Sequence, residues 1–533
     1  MPPRFSFPKF GIQLLSFLRS GIWQYKFRRK VIVSGIAIVL VFYGVSAYKS
    51  THPTFKSLSD YQRQVLHWSS CYDVFECSSI KVPIDYSDMT TGSFTLQVLR
   101  HRATDANNRI GSLVVNPGGP GASGFDYAYN AESIVSAAVL ERYDIVGFDP
   151  RGVGKSVPIH CLNDKETDAS YASDSKPDSA QELAQLVQQA QSYVAKCEAK
   201  TPYLASFSTA NSARDMDVLR SALGDKKLNY LGKSYGTYLG TLYAQFFPQN
   251  VGRIVLDGAI DPQISAVQQS ITQAVGFDHA LSAFIADCYT RKDCLLAKPS
   301  SKAIEQIVKV FHDAAKKPLR SSSGRTVTQS LIVLGSASAL YDNEWGWPKL
   351  RLALSQAKLG EGSTFLTLAD GYTQRNSDGT YSGNESDAGA VIDCLDWPDA
   401  RTTEQVKADA PQFAKQAPVF GQYLAYNALV CHYFPGVDTS STSKTKSPIT
   451  NADSSVGQTV TASPIMIIGT TRDPATPFEW AQSLHKEISG SRLLTLDADG
   501  HTGHGRASIC IDSEVDAYLL KGLIPAKDLF CPR

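Results

Sequence analysis

The pentapeptide Gly232-Lys-Ser-Tyr-Gly236 constrains the fold of this chain more than any other stretch of its sequence. The apolar, strand-like run Leu228–Leu231 precedes it, and the amphipathic helical run Thr237–Phe246 follows it. Glycines two residues before and after a serine let a strand and a helix pass close together through one sharp turn. Such a turn lifts the hydroxyl above the carboxyl edge of a sheet, beside a helix N-terminus that favours developing negative charge. We therefore predict that Ser234 is a nucleophile.

Strand-like and helical runs alternate along much of the chain. Short apolar or alternating runs that end in turn residues lie at Phe94–Leu99, Ser112–Asn116, Tyr143–Asp149, Arg253–Leu256, Pro464–Gly469 and Arg492–Leu496. Helical patterns lie between them, for example at Ala180–Ala199 and Ala213–Leu223. This alternation predicts an α/β fold with a mostly parallel sheet that helices cover on both faces.

The strand signal fades between about Pro262 and Thr450, where helical periodicity replaces it. We interpret 262–450 as a helical cap inserted into the α/β domain, which it divides into a first part, 67–261, and a C-terminal part, 451–533. A Ser/Thr-rich stretch, 439–455, reads as a flexible return loop. The formal net charge of the 533 residues is +1, so the chain as a whole offers no field that would attract nucleic acid.

The N-terminus predicts export. Residues 1–30 are basic, and they lead into the uncharged stretch Val31–Ala47, which is close to the ~17–20 residues that span a bilayer. A basic flank stays cytoplasmic, so the chain after the tether 49–66 is expected on the far side of the membrane. The segment 31–48 is either a single transmembrane anchor or a signal peptide cleaved near Ala47, and the long basic region favours the anchor.

Cysteine usage agrees with export, because the ten cysteines show no C-x-x-C spacing of a zinc or redox site. In an oxidising compartment disulfides are expected, and the simplest scheme pairs neighbours in sequence. The alternative is a set of buried free thiols. The pairs of the simplest scheme are Cys71 with Cys77, Cys161 with Cys197, Cys288 with Cys294, Cys394 with Cys431, and Cys510 with Cys531.

A serine hydroxyl needs an adjacent base, and in the α/β-hydrolase fold the partners follow in the order Ser, then Asp or Glu, then His. Asp473 follows the strand that ends at Gly469, and His501 follows the next strand. Both therefore belong at the sheet edge where Ser234 projects. We predict that His501 is the base and that Asp473 orients it. His504 stays open as an alternative base.

Asp257, directly after the strand Arg253–Leu256, stays open as an alternative acid. The glycine-rich run Asn116–Gly124 follows another buried strand and is predicted to supply an oxyanion donor, the N–H of Gly119. The N–H of Tyr235 is the predicted second donor. A tight turn without a catalytic role is the alternative. A phosphate loop is excluded, because the run before Gly-Lys-Ser156 has Asp149 where that motif requires glycine.

These motifs together resemble the exported tripeptidyl-aminopeptidase group within the wider proline-iminopeptidase family. The likeness runs from about Trp68 to Cys531. The stretches that carry it are Glu76–Tyr86, Val115–Gly121, Tyr143–Gly152, the Ser234 elbow, Gly469–Pro477, Asp499–Thr502 and Asp516–Gly522.

The resemblance implies hydrolysis of peptide bonds from free N-termini, without metal or cofactor, and it supports Asp473 and His501 as the partners of Ser234. It also implies that acidic residues of the cap receive the substrate's α-ammonium. Asp396, in Asp393-Cys-Leu-Asp396, is the first candidate for that role, and Glu344 is the second. The sequence thus predicts an exported serine exopeptidase that releases short peptides, with a carboxylester hydrolase and a non-catalytic surface binding protein as the alternatives.

Overall fold

The computed structural model describes residues 55–434, 459–461, 463–506 and 508–532. The basic head, the predicted membrane segment 31–48 and the Ser/Thr-rich loop 439–455 lie outside the described residues. Ser57–Arg533 is one compact unit. Within the described residues, no helix combines the length and the apolar composition needed to cross a bilayer.

The strands of the described residues fall into one large sheet and two small two-stranded sheets. In chain order they are β1 Ser69–Cys71, β2 Phe75–Pro83, β3 Ser93–His101, β4 Gly111–Asn116, β5 Tyr143–Phe148, β6 Leu228–Lys233, β7 Val251–Asp257, β8 Leu319–Arg320, β9 Thr326–Val327, β10 Thr459–Val460, β11 Ile465–Arg472, β12 Ile488–Ser489, β13 Arg492–Asp499 and β14 Leu529–Pro532.

The helices alternate with these strands and then dominate the interval between β7 and β11. They are α1 Leu58–Gln62, α2 Gly124–Tyr129, α3 Ala131–Ile134, α4 Ala137–Arg142, α5 Asp164–Ala172, α6 Ala180–Lys200, α7 Thr209–Ala222, α8 Tyr235–Phe246, α9 Ala266–Cys288, α10 Ser300–Lys316, α11 Gln329–Leu340, α12 Gly346–Ala357, α13 Ser363–Tyr372, α14 Glu385–Asp396, α15 Thr403–Gln416, α16 Gly421–Leu424, α17 Phe478–Glu487 and α18 Ile509–Lys521, with a 3₁₀ helix at Asn427–Tyr433.

The large sheet has the strand order β1-β2-β3-β5-β4-β6-β7-β11-β13-β14. Strands β1, β2, β3 and β5 pair antiparallel, and every pair from β5 through β4 to β14 is parallel. All six residues of β4 and of β5 are buried, as expected of central parallel strands covered on both faces. The predicted mostly parallel α/β sheet is confirmed. The carboxyl ends of β4, β6, β7, β11 and β13 meet at one edge.

Helices α9–α16 occupy the interval for which the sequence predicts a helical cap. They enclose an apolar cluster of their own, which is separate from the cluster on the sheet and includes Phe284, Phe311, Trp347 and Phe365. Helices α5 and α6 pack on this helical layer as well, since α5 contacts α11, and α6 contacts the 3₁₀ helix Asn427–Tyr433. The segment between β5 and β6 thus contributes to the cap side of the molecule, which the sequence did not indicate.

Five disulfides join the cysteines in the neighbour pairs of the simplest scheme, and none of the ten is free. Two of these bonds link elements of the helical layer. Cys394–Cys431 ties α14 to the 3₁₀ helix Asn427–Tyr433, and Cys161–Cys197 ties the segment before α5 to α6. Such cross-links stabilise mainly by restricting the unfolded chain.

Candidate active site

Ser234 occupies a sharp turn between β6 and α8, with φ of 55° and ψ of −125°. A residue with a side chain is strained in this region and stays there because surrounding contacts hold it. Its backbone N–H donates to the Asp257 carbonyl at 2.8 Å. A Cβ at Gly232 would lie 2.5 Å from the Gly236 carbonyl oxygen, and one at Gly236 would lie 2.7 Å from Asn116 Oδ1. Gly232 therefore allows β6 and α8 to pass closely, and Gly236 allows α8 to approach Asn116 at the end of β4.

Asp473 and His501, which follow the ends of β11 and β13, lie in direct contact. His501 Nδ1 is 2.9 Å and 3.0 Å from the two carboxylate oxygens. The buried carboxylate also accepts the N–H groups of Ala475 and Thr476 at 2.9 Å and of Thr502 at 3.0 Å. Burial alone would raise the pKa of Asp473, but His501 and these donors outweigh it and hold the pKa below its ordinary value. The ionised carboxylate can orient the imidazole and stabilise its charged form.

The ring of His501 lies over the end of β7, next to the strand that leads to Ser234. A Cβ at Gly258 would come within 3.4 Å of His501 Cε1. The helical layer reaches this ring too, because the His501 N–H donates to the Tyr341 carbonyl at 2.9 Å and the two rings meet edge to face at 5.2 Å. The end of β7 and the helical layer therefore both help to hold the imidazole in place.

The alternative acid and base have other roles in the structure. Asp257 accepts the N–H groups of Gly503 at 2.7 Å and His504 at 3.0 Å, so its carboxylate braces the loop that carries His501. His504 is buried, and burial, with a smaller contribution from Lys233, lowers its pKa to about 3. Such an imidazole is too weak a base to take a serine proton at neutral pH. The geometry favours Asp473 and His501.

The glycine loop after β4 lies directly against the elbow. Gly118 and Gly119 have φ of 101° and 107°. A Cβ at Gly118 would lie 2.6 Å from the Lys233 carbonyl oxygen and 2.9 Å from the Tyr235 nitrogen. The Gly118 N–H is used by Asn116 Oδ1 at 3.0 Å, whereas the N–H groups of Gly119 and Tyr235 have no acceptor within the described residues. These two donors are the ones that the sequence predicts for the oxyanion.

Asp396 and Glu344 are placed differently from the sequence expectation. Asp396 is fully buried, and its oxygens accept the Thr209 N–H at 2.9 Å, the Thr209 hydroxyl at 2.6 Å and the Tyr235 hydroxyl. Asp396 is thus already paired within the protein, and it does not line the cleft described below. Glu344 is exposed before α12 and does not line the cleft described next. The sequence does not indicate which face of α14 packs on the core, and the structure places Asp396 on that face.

A cleft of about 470 Å³ extends from the glycine loop along α14. Glu385 and Asp393, at the two ends of α14, line it together with Gly119, Tyr372 and Trp397. Glu385 Oε1 lies 3.3 Å from where a Cβ of Gly119 would be, and its other oxygen accepts the Gln374 amide at 2.7 Å.

Neither of these two cleft carboxylates was among the residues predicted for the site from the sequence. A usable signal was present, because Glu385, Gly389 and Asp393 recur every four residues and so share one helix face.

Both cleft carboxyls are held towards their neutral forms. Burial raises the pKa of Glu385 to about 7. Burial, and then the charge of Asp396, raise the pKa of Asp393 to about 8. A cation bound in the cleft would lower the pKa of both carboxyls, so both would carry a negative charge in the complex. Carboxyls with strongly shifted pKa values, such as these two beside the glycine loop, are typical of a functional site.

The Asp396→Asn variant is expected to lower kcat about 10-fold to 100-fold with little change in KM, because misplacing a catalytic donor by about 1 Å costs up to ~10²-fold. Asp396 holds the Tyr235 side chain, and Tyr235 supplies the predicted oxyanion N–H. Tyr235→Phe, which cuts the same link, should act in the same direction. Steady-state kinetics with Glu344→Gln as the exposed-carboxyl control measure the effect. A rise in KM at constant kcat would show instead that Asp396 contacts substrate.

The profile of the alpha/beta hydrolase fold family matches residues 111–505. The chain therefore belongs to the α/β-hydrolase family, and its site is that of a serine hydrolase. It is 35% identical over 468 residues to the serine protease Hip1 of Mycobacterium tuberculosis, with 85% of this chain and 87% of that protein covered.

Two further relatives carry different names. Identity is 34% over 471 residues to the tripeptidyl aminopeptidase of Streptomyces lividans, covering 86% of this chain and 83% of that one. Identity is 35% over 482 residues to carboxylesterase B of Mycobacterium tuberculosis, which covers 87% of this chain and 89% of that protein. The resemblance drawn from the motifs is confirmed.

Proposed function

We propose that this protein is an exported serine exopeptidase that releases tripeptides from free N-termini through an acyl-enzyme. The observation that carries the proposal is the cleft along α14, which begins at the oxyanion loop and holds Glu385 and Asp393. A cleft with carboxylates at a set distance from the reacting carbonyl selects substrates by the position of their ammonium group. The serine protease and tripeptidyl aminopeptidase among the relatives support the peptide as substrate.

The proposed reaction uses the side chains and N–H groups that the sequence predicts for the site. Ser234 Oγ attacks the scissile carbonyl while His501 takes its proton, and the N–H groups of Gly119 and Tyr235 stabilise the oxyanion. The C–N bond then breaks, and His501 protonates the leaving amine, which gives an ester between the acyl part and Ser234. Water, deprotonated by His501, hydrolyses that ester and restores the hydroxyl. Asp473 stays ionised and stabilises the imidazolium in both halves.

The spacing of the two cleft carboxylates favours a tripeptide. Glu385 lies against Gly119, beside the oxyanion, and Asp393 is eight residues further along α14. Eight helical residues span about 12 Å, and three extended residues span about 10 Å. An ammonium group held at Asp393 therefore leaves three residues between the N-terminus and the scissile bond, whereas one held at Glu385 leaves a single residue.

The test of this proposal compares a tripeptidyl anilide that has a free amine with its N-acetylated counterpart. The peptidase cleaves the free substrate and largely rejects the acetylated one, which lacks the cation. Mass spectrometry of longer peptides should show losses of three residues per cut. Equal cleavage of both anilides would count against an aminopeptidase, and loss of single residues would move the anchor from Asp393 to Glu385.

Asp393→Asn is expected to raise KM for the free tripeptidyl anilide about 10-fold to 100-fold, because a hydrogen bond to a charged group contributes ~1.5–3 kcal/mol. KM for the acetylated substrate should not change. The exposed Glu344→Gln is the matched control and should behave as wild type. An unchanged KM in Asp393→Asn would remove this residue from the proposed anchor.

The same anchor predicts a pH dependence of KM. The raised pKa values of about 8 for Asp393 and about 7 for Glu385 mean that acid neutralises both groups, so KM for the free amine, which is held at Asp393, should rise as the pH falls below about 8. Above about 8 the substrate's own α-amino group loses its proton, and KM should rise again. The acetylated substrate should show neither change.

A carboxylester hydrolase is the second candidate function, and the relative named carboxylesterase B favours it. An esterase would hydrolyse a neutral ester without using Glu385 or Asp393. The ratio of kcat/KM for a free tripeptidyl anilide to that for a simple acyl ester, compared between wild type and Asp393→Asn, separates the two. A ratio that does not respond to the substitution favours the esterase.

Export is proposed on two grounds. The basic head and apolar stretch Val31–Ala47 have the pattern of a single-pass anchor or a signal peptide. The five disulfides of the structure suit an oxidising compartment. N-terminal sequencing of the mature protein distinguishes a retained anchor from cleavage near Ala47, and a reduced protein in the cytoplasm would contradict export.

A further inference from the structure

A second cavity, of about 270 Å³, adjoins the cleft along α14. The two share a wall formed by Tyr171, Ser386, Ala390, Asn427 and Val430. We propose that this cavity is a specificity pocket, which takes a large apolar or aromatic side chain from the acyl part of the substrate. The inference rests on the proposed exopeptidase function and adds a side-chain preference to it.

The walls of the cavity set the chemistry of its ligand. Leu186, Ala190 and Tyr193 of α6 form one side, and Leu429 and Val430 of the 3₁₀ helix form another. Apolar and aromatic walls gain free energy by removing apolar substrate surface from water. The pocket should therefore favour leucine, phenylalanine or tyrosine over alanine.

Asp387 is the one charged residue among the described residues that line the cavity, and its charge is already compensated. Its oxygens accept the N–H groups of Cys161 at 2.7 Å and Leu162 at 3.2 Å, and the Tyr193 hydroxyl at 3.2 Å. A carboxylate with three donors gains little from a further cation. The pocket consequently offers no strong attraction for lysine or arginine side chains.

The position of the cavity along α14 decides which part of the substrate reaches it. Ser386 and Ala390 line both spaces, and they lie between Glu385, beside the oxyanion loop, and Asp393. An acyl part that extends from the oxyanion loop towards Asp393 passes this shared wall. A side chain between the scissile bond and the N-terminus can therefore enter the cavity, and one of the leaving peptide cannot.

Two disulfides keep the walls of the pocket together. Cys394–Cys431 joins α14 to the 3₁₀ helix, and Cys161–Cys197 joins the segment before α5 to α6. All of these elements line the cavity. A binding pocket whose walls are held in advance loses less entropy when a side chain enters it.

The test compares Ala190→Phe, which fills the cavity from α6, with Ala195→Phe, which adds the same ring to the exposed side of the same helix. Substrates are free tripeptidyl anilides, with alanine at all three positions or leucine or phenylalanine at one. Wild type and Ala195→Phe should prefer the large residue at one position by about 10-fold to 100-fold in kcat/KM, the usual range for an apolar pocket. Ala190→Phe should lose that preference.

Leu186→Ala provides a second, enlarging variant and should shift the preference from leucine towards phenylalanine. Hydrolysis of the all-alanine substrate shows that each variant is folded. No preference at any position in wild type, or one that survives in Ala190→Phe, overturns the specificity pocket and leaves the exopeptidase intact. Failure of wild type to cleave any of the free peptides overturns both.

Discussion

Ser234→Ala is expected to reduce kcat for the free tripeptidyl anilide by about 10⁶-fold, the scale seen when a catalytic serine is removed from a serine protease. The reason is that alanine at the elbow keeps the turn and the oxyanion donors but has no oxygen to form the acyl-enzyme. KM, which depends on the cleft along α14, should change little. Steady-state kinetics on matched preparations measure both quantities.

A fluorophosphonate tests the same prediction without relying on the substrate. The reagent should add to Ser234 in the wild-type protein, as peptide mapping would show, and should fail to label the Ser234→Ala protein. Ser336→Ala is the control for a serine substitution away from the elbow, because Ser336 is buried in α11 and its hydroxyl donates to the Ile332 carbonyl at 2.8 Å. Labelling at another serine, or an active Ser234→Ala protein, would refute the nucleophile.

Asp473→Asn is expected to reduce kcat by about 10⁴-fold. The asparagine amide fits the same space, but it carries no charge to stabilise the imidazolium and allows the wrong tautomer of His501. The loss should therefore appear in kcat for both free and acetylated substrates and should not be specific to the amine. Because the pKa of Asp473 is lowered in the folded protein, its contribution to stability is present above the unfolded value and is lost as the pH falls through the folded one.

Asp257→Asn is the informative comparison for that variant. Asp257 braces the loop through the N–H groups of Gly503 and His504, and an asparagine carbonyl can accept while its amide nitrogen cannot. We expect a smaller fall in kcat, about 10-fold to 100-fold, from a displaced His501. Should Asp257→Asn match or exceed the loss in Asp473→Asn, the assignment of the acid would have to be reversed.

The sharp turn at Ser234 could be predicted from the residues immediately around it. Gly232, Ser234 and Gly236 lie within five consecutive residues, and a Cβ at Gly232 would collide with the helix that follows, whereas one at Gly236 would collide with Asn116 of the neighbouring strand β4. The order of Ser234, Asp473 and His501 could likewise be predicted, because each follows a strand and parallel strands bring their carboxyl ends to one edge.

The same reasoning did not identify the carboxylates of the cleft. Asp393 and Asp396 are three residues apart on α14, yet Asp393 faces the cleft and Asp396 is buried against Thr209 and Tyr235. The four-residue spacing groups Asp393 with Glu385 on one helix face, but the sequence does not show which face of the helix lines the cleft. The direction in which α14 packs decides the matter.

By itself, the sequence determined the class of fold, and it predicted a nucleophilic serine with two partners and, as the simplest scheme, the neighbour pairing of the cysteines that the structure contains. Each of these depends on residues close in the chain or on the shared edge of a parallel sheet. The tertiary structure alone decided which carboxyls line the cleft, that Asp257 and His504 support the loop of His501, and that α5 and α6 help to form a second pocket. Those features depend on how helices distant in the chain pack together, because burial and side-chain direction arise only at that stage.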